Sequence, residues 1–162
     1  MSALPPGLRL ETPIVGFHNI FGPYGTSEGG REKAPTALCC KIAVAKLTGN
    51  PELEIRGGGE QTRAFCYIDD CVEGLHRLIR SDFAGPVNLG QDRRVTISQL
   101  ADLIAQISGI SILKRHVPAP VGVQDRNSDN TLLRRVLKEP QIASEQGLVR
   151  TYRGSSPKCA EG

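Results

Sequence analysis

The feature that most constrains this sequence is the alternation of short apolar, extended segments with segments of helical periodicity. Residues 12–21 form an apolar run typical of a buried strand. Apolar residues then recur at helical spacing between Pro35, which suits the first turn of a helix, and the stop signal that begins at Gly49. Further along, Thr96 and Gln99 form the capping box of a second helix. Strands that alternate with helices in this way predict the α/β fold class.

The remaining elements follow from the same two periodicities. Asp69 and Asp70 are predicted to cap a helix whose apolar face runs from Val72 to Ile79. Glycines 57–59 precede a strand instead of opening a helix, so they predict a tight turn and not a phosphate-binding loop. The predicted strands are 53–56, 63–68, 86–90 and 112–117, and the predicted helices are 35–48, 70–79, 97–108, 131–137 and 145–150.

Composition narrows the function classes. The chain has 162 residues and a net charge of +3, with 20 Lys and Arg scattered along it, 4% aromatic residues and no Trp. A nucleic-acid surface usually has a basic stripe with interleaved aromatics, so no nucleic-acid partner is predicted. No apolar run approaches the roughly 18 residues that span a bilayer, and the N-terminus lacks the pattern of a secretory signal. We therefore expect no membrane partner.

The cysteines point to a reducing compartment. They are five in number, and neither Cys39 with Cys40 nor Cys66 with Cys71 has the spacing of a Cys-x-x-Cys pair. An odd count without such pairs favours reduced thiols in the cytoplasm and predicts no metal site. Cys39 and Cys40 fall within a predicted helix, where we expect them to be packing residues.

Three cationic residues at the ends of predicted elements are candidates for a functional site. Lys33 comes directly before a helix start, where the helix dipole disfavours an ammonium, which is useful in a general acid or base. Arg63 and Arg126 carry planar forks suited to phosphate oxygens. A solvated surface lysine and two surface ion pairs are the alternatives that the residues themselves leave open.

Five motifs carry a family resemblance. The chain is similar to the GDP-mannose 3,5-epimerase family, which belongs to the extended short-chain dehydrogenases/reductases of the NAD-dependent epimerase/dehydratase type. Gly-Gly-Arg-Glu-Lys-Ala-Pro and Arg-Asn-Ser-Asp-Asn are narrow to this epimerase, whereas the Asn-Ile-Phe-Gly-Pro after the first strand is shared across the wider group. The motifs occur in the family's order and are Phe-His-Asn-Ile-Phe-Gly-Pro-Tyr-Gly-Thr at 17–26, Gly-Gly-Arg-Glu-Lys-Ala-Pro at 29–35, Gly-Glu-Gln-Thr-Arg-Ala-Phe-Cys-Tyr-Ile-Asp-Asp-Cys-Val-Glu-Gly at 59–74, Ser-Asp-Phe-Ala-Gly-Pro-Val-Asn-Leu-Gly at 81–90 and Gly-Val-Gln-Asp-Arg-Asn-Ser-Asp-Asn at 122–130.

The resemblance implies an isomerase that converts GDP-mannose to GDP-L-galactose by transient oxidation at C4 with NAD and proton transfer at C3 and C5. The implied fold is the C-terminal part of a doubly wound, Rossmann-like NAD domain together with a small sugar-nucleotide-binding lobe. Lys33 is the implied proton-transfer lysine, and a homodimer is plausible. The residues that match substrate-contacting positions are Asn19, Glu32, Lys33, Ala34, Lys41, Gln61, Thr62, Arg63 and Arg126, with the two arginines near the diphosphate.

The family's other functional residues have no counterpart here. The glycine fingerprint, the Tyr-x-x-x-Lys pair and the proton-transfer cysteine are all absent, so no cofactor-binding residue is identifiable. The resemblance covers residues 12–152, which leaves 1–11 as a non-matching leader and 153–162 as a frayed tail whose Gly and Pro end the last helix. A half-sheet would leave an unpaired strand edge and an exposed apolar face, so we expect poor solubility or self-association.

Three other functions remain open for this chain. It could be a sugar-nucleotide-binding or partner module without turnover, a related nucleotide-sugar epimerase or dehydratase, or an α/β domain with no ligand. The lysine in its narrow motif argues against the related enzymes. For the chain taken alone, the binding module ranks above the active epimerase, because most of the implied NAD site and catalytic set lies outside it.

Overall fold

The computed structural model describes residues 12–26, 32–119, 123–137 and 144–160, and it confirms the α/β fold class. The leader 1–11 and residues 161 and 162 of the predicted tail lie outside the described residues. The strands are β1 (Ile14–Phe17), β2 (Ile20–Phe21), β3 (Glu52–Arg56), β4 (Thr62–Ala64), β5 (Cys66–Tyr67), β6 (Pro86–Leu89), β7 (Arg94–Thr96), β8 (Leu113–Val117) and β9 (Asp125–Arg126). The helices are α1 (Ala34–Thr48), α2 (Ile68–Ile79), α3 (Ile97–Ser108), α4 (Thr131–Val136) and α5 (Ser144–Ala160).

The described strands pair in small sheets that are mostly parallel. Strands β1 and β6, β2 and β5, and β3 and β8 form three parallel pairs. Strand β4 lies at the centre of a three-stranded sheet, antiparallel to β7 and parallel to β9. Parallel pairing with helical connections is the arrangement expected of a doubly wound fold.

Two apolar clusters hold these elements together. The larger one joins α1, α3, α5 and β3, and the rings of Phe21, Phe65 and Tyr67 pack within it. The ring centroids of Phe21 and Tyr67 lie 5.6 Å apart in an edge-to-face arrangement. The smaller cluster lies between β6, α2 and α4, with Leu89 and Leu133 buried at its centre.

The predicted limits of α1 and α3 are confirmed. Helix α1 has a proline in its first turn and ends at Gly49, whose φ of 70° is the left-handed conformation that glycine adopts without strain. At the start of α3, the Thr96 hydroxyl accepts from the Gln99 amide at 3.0 Å and the Gln99 side chain accepts from the Thr96 amide at 2.9 Å. This is the reciprocal capping box that the sequence predicts.

The predicted N-cap of α2 is wrong. The helix begins at Ile68, one residue before Asp69, and its N-cap is Tyr67, which makes no side-chain capping bond. Asp69 and Asp70 instead lie in the first turn, where a carboxylate interacts favourably with the helix dipole. Asp69 also forms an ion pair with Arg150 of α5 at 3.1 Å, which draws its carboxylate away from the capping position.

The predicted end of the last helix is also wrong, because α5 continues past Arg153 to Ala160. Thr151, Tyr152 and Ser155 are buried, so tertiary packing carries the helix through the glycine that predicted its end. Gly154 itself allows close contact, since a Cβ built there would lie 2.8 Å from the Cβ of Pro23. The expectation of a frayed tail therefore fails for residues 153–160.

The segment 12–21 is not one buried strand. It divides into β1 and β2 on either side of residues 18 and 19, and Ile14 and Phe17 of β1 are 67% and 54% exposed. Among the described residues β1 pairs only with β6, so no described strand covers its other edge. On α2, Ile79 is likewise 74% exposed, although the sequence predicts it on the apolar face.

Of the two cysteines predicted to be packing residues, Cys39 is buried and Cys40 is half-buried. Cys39, Cys66 and Cys71 are free and buried. Cys40 is disulfide-bonded, so the expectation that all five are reduced thiols is wrong. An odd count excludes only a fully paired set, since five cysteines still allow a disulfide. Within the described residues, no helix has both the length and the apolar character needed to cross a membrane.

Candidate functional site

The two arginines singled out by the sequence lie on neighbouring strands. In the parallel pair β4–β9, Arg63 is directly opposite Arg126. Paired residues of adjacent strands share one face of a sheet, so the two side chains extend from the same face. Val95 of β7 pairs with Arg63 and belongs to this face as well. Two arginines 63 residues apart in the sequence are thus neighbours across the β4–β9 pair.

The two guanidinium groups differ in how they are engaged. Arg63 donates to the backbone carbonyls of Thr62 at 2.7 Å, Val123 at 2.6 Å and Gln124 at 3.3 Å, so it holds the segment that leads into β9. Arg126 is exposed, and its guanidinium has no hydrogen bond or ion pair within the ranges that the structure describes. Arg126 is therefore the more available donor for an anion.

The opposite face of the same sheet carries a carboxylate. Thr62 pairs with Asp125, and its hydroxyl donates to the Asp125 carboxylate. Asp125 also pairs with Arg94 of β7 at 2.7 Å. The hydrogen bond from Thr62 first, and then the positive charge of Arg94, hold the pKa of Asp125 below its usual range. The structure thus places Thr62 on the other face from the two arginines.

Asn19 ties the β1–β2 connection to β4 and β5. Its φ of 44° lies in the left-handed region, which asparagine tolerates better than most residues. The side-chain amide donates to the Ala64 carbonyl at 3.0 Å, and the backbone carbonyl accepts from the Cys66 amide at 3.2 Å. Asn19 therefore lies next to β4, the strand of Arg63, and its side-chain amide is already engaged in a structural hydrogen bond.

Gln61 precedes β4 at the turn formed by glycines 57–59. Its backbone carbonyl accepts from the Ile97 amide at 3.2 Å, which connects it to the start of α3. The side-chain oxygen Oε1 is buried and has no hydrogen-bond partner among the described residues. A buried acceptor without a partner is unfavourable, so this oxygen is open to a donor other than the described residues.

Lys33 lies at the mouth of an open cleft. It is the N-cap of α1, with extended backbone and no side-chain capping bond, and its side chain is exposed. The cleft has a volume of about 360 Å³, and its wall is formed largely by the loop after β2. Its lining residues are Ile20, Phe21, Gly22, Pro23, Tyr24, Gly25, Thr26, Lys33, Thr36 and Ile68.

The neighbours of Lys33 differ in their exposure. Ala34 opens α1 and packs against the larger apolar cluster. Glu32 is half-buried, and its Oε2 is buried with no hydrogen-bond partner in the described part of the chain. Lys41 lies eight residues further along α1, about 12 Å along the helix axis, and its ammonium donates to the Glu54 carbonyl of β3 at 3.4 Å. Lys41 therefore lies apart from the cleft.

Sequence reasoning missed Asp125 and Arg94, which join β9 to β7 across β4. The only signal for Asp125 is its position directly before Arg126, and the sequence places that whole segment in a loop. Reading residues 125 and 126 as a strand would have put them on opposite faces.

The last three residues of the Arg-Asn-Ser-Asp-Asn motif, which begins at Arg126, have a structural role. Ser128 and Asn130 are buried, and the Ser128 hydroxyl donates to the Asn130 side-chain oxygen at 2.9 Å. The Asn130 amide donates to the Asp92 carboxylate, and the Asn88 amide donates to the Asp129 carbonyl at 3.1 Å. These bonds fasten the segment behind β9 to the end of β6.

The strand pairing, the packed helices and the family's motifs together define an α/β fold of the extended short-chain dehydrogenase/reductase type. The chain belongs to the NAD dependent epimerase/dehydratase family, because residues 9–90 match the sequence profile of that family. It is 44% identical to GDP-mannose 3,5-epimerase 1 of Oryza sativa subsp. indica over 144 residues, which are 88% of this chain and 37% of the relative. It is 30% identical to UDP-glucuronic acid decarboxylase 5 of Arabidopsis thaliana over 141 residues, covering 86% of this chain and 39% of that protein.

The fold is also that of solved epimerases. A UDP-glucose 4-epimerase from Thermotoga maritima, crystallised with UDP-glucose, aligns with a TM-score of 0.80 at 24% identity. The alignment covers 90% of this chain and 46% of that structure. The chain thus spans well under two thirds of the length of the curated relatives and solved structures that it matches.

The residues that the structure describes do not fit NAD, although the family is NAD-dependent. A dinucleotide site needs a strand, a glycine-rich turn and a helix whose N-terminus receives the pyrophosphate. The glycine turn at 57–59 leads into β4 instead, and the amides at the start of α3 are already used by Gln61, Gly59 and Thr96. These residues therefore offer no cradle for the cofactor's phosphates.

Proposed function

We propose that this chain forms the sugar-nucleotide-binding part of a GDP-mannose 3,5-epimerase that converts GDP-mannose to GDP-L-galactose. Arg126 and Arg63 bind the diphosphate, and Lys33 exchanges a proton with the hexose. The family resemblance also carries over Asn19, Glu32, Ala34, Lys41, Gln61 and Thr62 as substrate contacts, although the Thr62 hydroxyl is bonded to Asp125 on the face opposite the arginines. A homodimer is the expected assembly. The 44% identity to a GDP-mannose 3,5-epimerase supports this choice over the decarboxylases, whose identity is 30%.

The observation that carries the proposal is the pairing of Arg63 with Arg126 on one face of the β4–β9 pair. Guanidinium groups on neighbouring strands suit the several oxygens of a diphosphate, and hydrogen bonds between charged partners are the stronger kind. Arg63 is held in place by three backbone carbonyls, so its fork is ordered before a ligand arrives. An ordered donor loses less conformational entropy on binding.

Lys33 takes the proton-transfer role on two grounds. It lies at the cleft formed by the loop after β2, which is large enough for part of a sugar ring. Its exposed ammonium has no hydrogen bond among the described residues, so it is available to a ligand.

Binding without turnover is the second candidate function. It is favoured by the described glycine turn and helix α3, which offer no cradle for the phosphates of NAD. In this case the chain binds GDP-mannose through the same arginines without converting it. It then either acts together with a partner protein or has no catalytic role.

Calorimetric titration of the chain with GDP-mannose, in the absence of NAD, tests the shared binding site. We expect Arg126→Ala to weaken binding about ten-fold or more, because a charge-assisted hydrogen bond contributes about 1.5–3 kcal/mol and each 1.4 kcal/mol is a factor of ten. Arg135→Ala is the matched control, since it removes an exposed arginine of α4 and should leave the affinity unchanged. Equal affinities of the Arg126→Ala and unmodified chains would contradict the proposal.

Proton exchange separates the two candidate functions. GDP-mannose is incubated with the chain and NAD in D₂O, and deuterium in the sugar is measured by mass spectrometry. Incorporation that is lost in Lys33→Met, with GDP-mannose affinity retained, supports the epimerase. Binding without any incorporation by the unmodified chain favours the non-catalytic module.

A further inference from the structure

Strand β9 consists only of Asp125 and Arg126, and these residues face opposite ways. Arg126 shares a face with Arg63, and Asp125 shares the other face with Thr62. Because side chains alternate along a strand, a shift of β9 by one residue would exchange the two faces. Arg126 would then lie opposite Thr62, away from Arg63.

The backbone contacts of β9 do not by themselves select the observed register. The Thr62 amide donates to the Gln124 carbonyl at 2.9 Å, and the Arg63 guanidinium donates to the carbonyls of Val123 and Gln124. Every residue offers a carbonyl, so a shifted strand would still present acceptors to these donors. A two-residue strand also has little apolar patterning to resist slippage.

The Asp125 side chain does select the register. Its carboxylate accepts from the Thr62 hydroxyl on β4 and pairs with Arg94 on β7 at 2.7 Å, so it connects three strands on one face. No neighbouring residue of the segment could replace it, because Val123, Gln124 and Arg126 carry no carboxylate. Both partners are about half exposed, at 52% for Arg94 and 51% for Asp125, so the pair contributes little to global stability. A small free energy still decides between two registers of similar energy.

We propose that Asp125 is a positioning residue that fixes the register of β9 and thereby holds Arg126 beside Arg63 for the diphosphate of the ligand. The inference rests on the proposed sugar-nucleotide site. Asp125 does not touch the ligand, because it lies on the opposite face of the sheet from the arginines. The two possible effects of Asp125 on binding have opposite signs. Fixing the strand register favours binding of a diphosphate, whereas the negative charge alone would repel it.

The test compares Asp125→Asn with Asp102→Asn. Asp102 is 50% exposed and pairs with Lys114 at 2.8 Å, so it matches Asp125 in exposure and pairing but lies on α3. We expect Asp125→Asn to weaken GDP-mannose binding about five-fold, the effect of roughly 1 kcal/mol, and Asp102→Asn to leave it unchanged. Removal of a charge that acted only by repulsion would tighten binding instead. An unchanged or tighter affinity of Asp125→Asn overturns the proposal.

Hydrogen–deuterium exchange on the ligand-free chain gives a second readout that does not depend on the ligand. We expect the amides of residues 123–126 to exchange faster in Asp125→Asn than in the unmodified chain, with the amides of α3 unchanged. If the unmodified chain does not bind GDP-mannose, the proposed function fails, and the exchange rates alone then decide whether Asp125 fixes the strand. Equal exchange rates of the amides of residues 123–126 in both chains would overturn the proposal that Asp125 fixes the register of β9.

Discussion

Neighbouring residues on strands β4 and β9 extend from opposite faces of the sheet, so their side chains have different surroundings. Arg63 and Arg126 extend from one face, whereas Thr62 and Asp125 bond to each other on the opposite face. Thr62 resembles a substrate-contacting position by its place in the motif, yet its hydroxyl is used to hold Asp125. Consecutive residues of this short strand therefore have different roles. Asp125 bonds to its neighbours within the sheet, and Arg126 extends from the face that we propose for the ligand.

The buried thiols allow a prediction at the residue scale. Burial raises the pKa of Cys39 to about 12, and burial together with the nearby Cys71 and Asp70 raises the pKa of Cys66 to about 12. Since the thiolate is the reactive form, we expect neither residue to be alkylated by iodoacetamide in the folded chain near pH 8.5, where about half of a free thiol is ionised. Peptide mapping by mass spectrometry measures the modification.

The same labelling in guanidinium chloride is the control, because unfolding removes the burial that suppresses both thiolates. Full modification there, with none in the folded chain, is the expected pair of results. Rapid alkylation of Cys39 in the folded chain would mean that α1 is not packed against α5 and α3 as the structure has it.

At the scale of elements, the sequence predicts those whose ends are marked by local chemistry. The limits of α1 and α3 follow from Pro35, Gly49, Thr96 and Gly109, since caps and stop signals act within a few residues. The start of α2 and the length of α5 depend instead on contacts between distant residues, such as Arg150 with Asp69. Strand β9 is the extreme case, because two residues carry no periodicity and only pairing with β4 makes them a strand.

Helix α5 gives a prediction with a distinctive sign. Gly147 lies within the helix, where Gly→Ala usually stabilises by about 1 kcal/mol. A Cβ built at Gly147 would lie 2.8 Å from the Tyr67 ring and 3.0 Å from the Phe21 ring, and both rings are buried. We therefore expect Gly147→Ala to destabilise the chain by about 1–3 kcal/mol, as overpacking does, in urea denaturation.

Gln146→Ala is the control, because this neighbouring side chain is exposed and its replacement should change the free energy of unfolding by less than about 0.5 kcal/mol. A Gly147→Ala chain more stable than the unmodified one would contradict the close packing of α5 against the two aromatic rings.

For the whole molecule, the sequence predicts the fold class and the order of the motifs but not which of the candidate residues lie near one another. Lys33 lies at the cleft after β2, the arginines lie on β4 and β9, and Lys41 lies against β3. The residues carried over from one family thus occupy more than one part of the described fold. A motif fixes the identity of a residue, whereas its neighbours in space depend on chain segments that are far apart in sequence.

The open edge of β1 gives the prediction at the scale of the molecule. Strand β1 pairs only with β6 among the described residues, and parallel sheets normally have both faces covered. Ile14 and Phe17 are exposed beside an open cleft of about 480 Å³ on this sheet. We expect the isolated chain to self-associate through β1, as edge strands with apolar residues do. Light scattering after size-exclusion chromatography over a range of concentrations measures the association.

The substitution Ile14→Lys should weaken this association about ten-fold or more, because it places a charge on the edge strand and removes an apolar side chain whose burial contributes roughly 1.5–3 kcal/mol. Leu47→Lys is the matched control. Leu47 is 64% exposed, close to the 67% of Ile14, but it lies on α1 away from the β1–β6 pair. If the unmodified chain is a monomer at every concentration, β1 does not mediate self-association. If Leu47→Lys and Ile14→Lys disrupt association equally, the contact lies elsewhere than on β1.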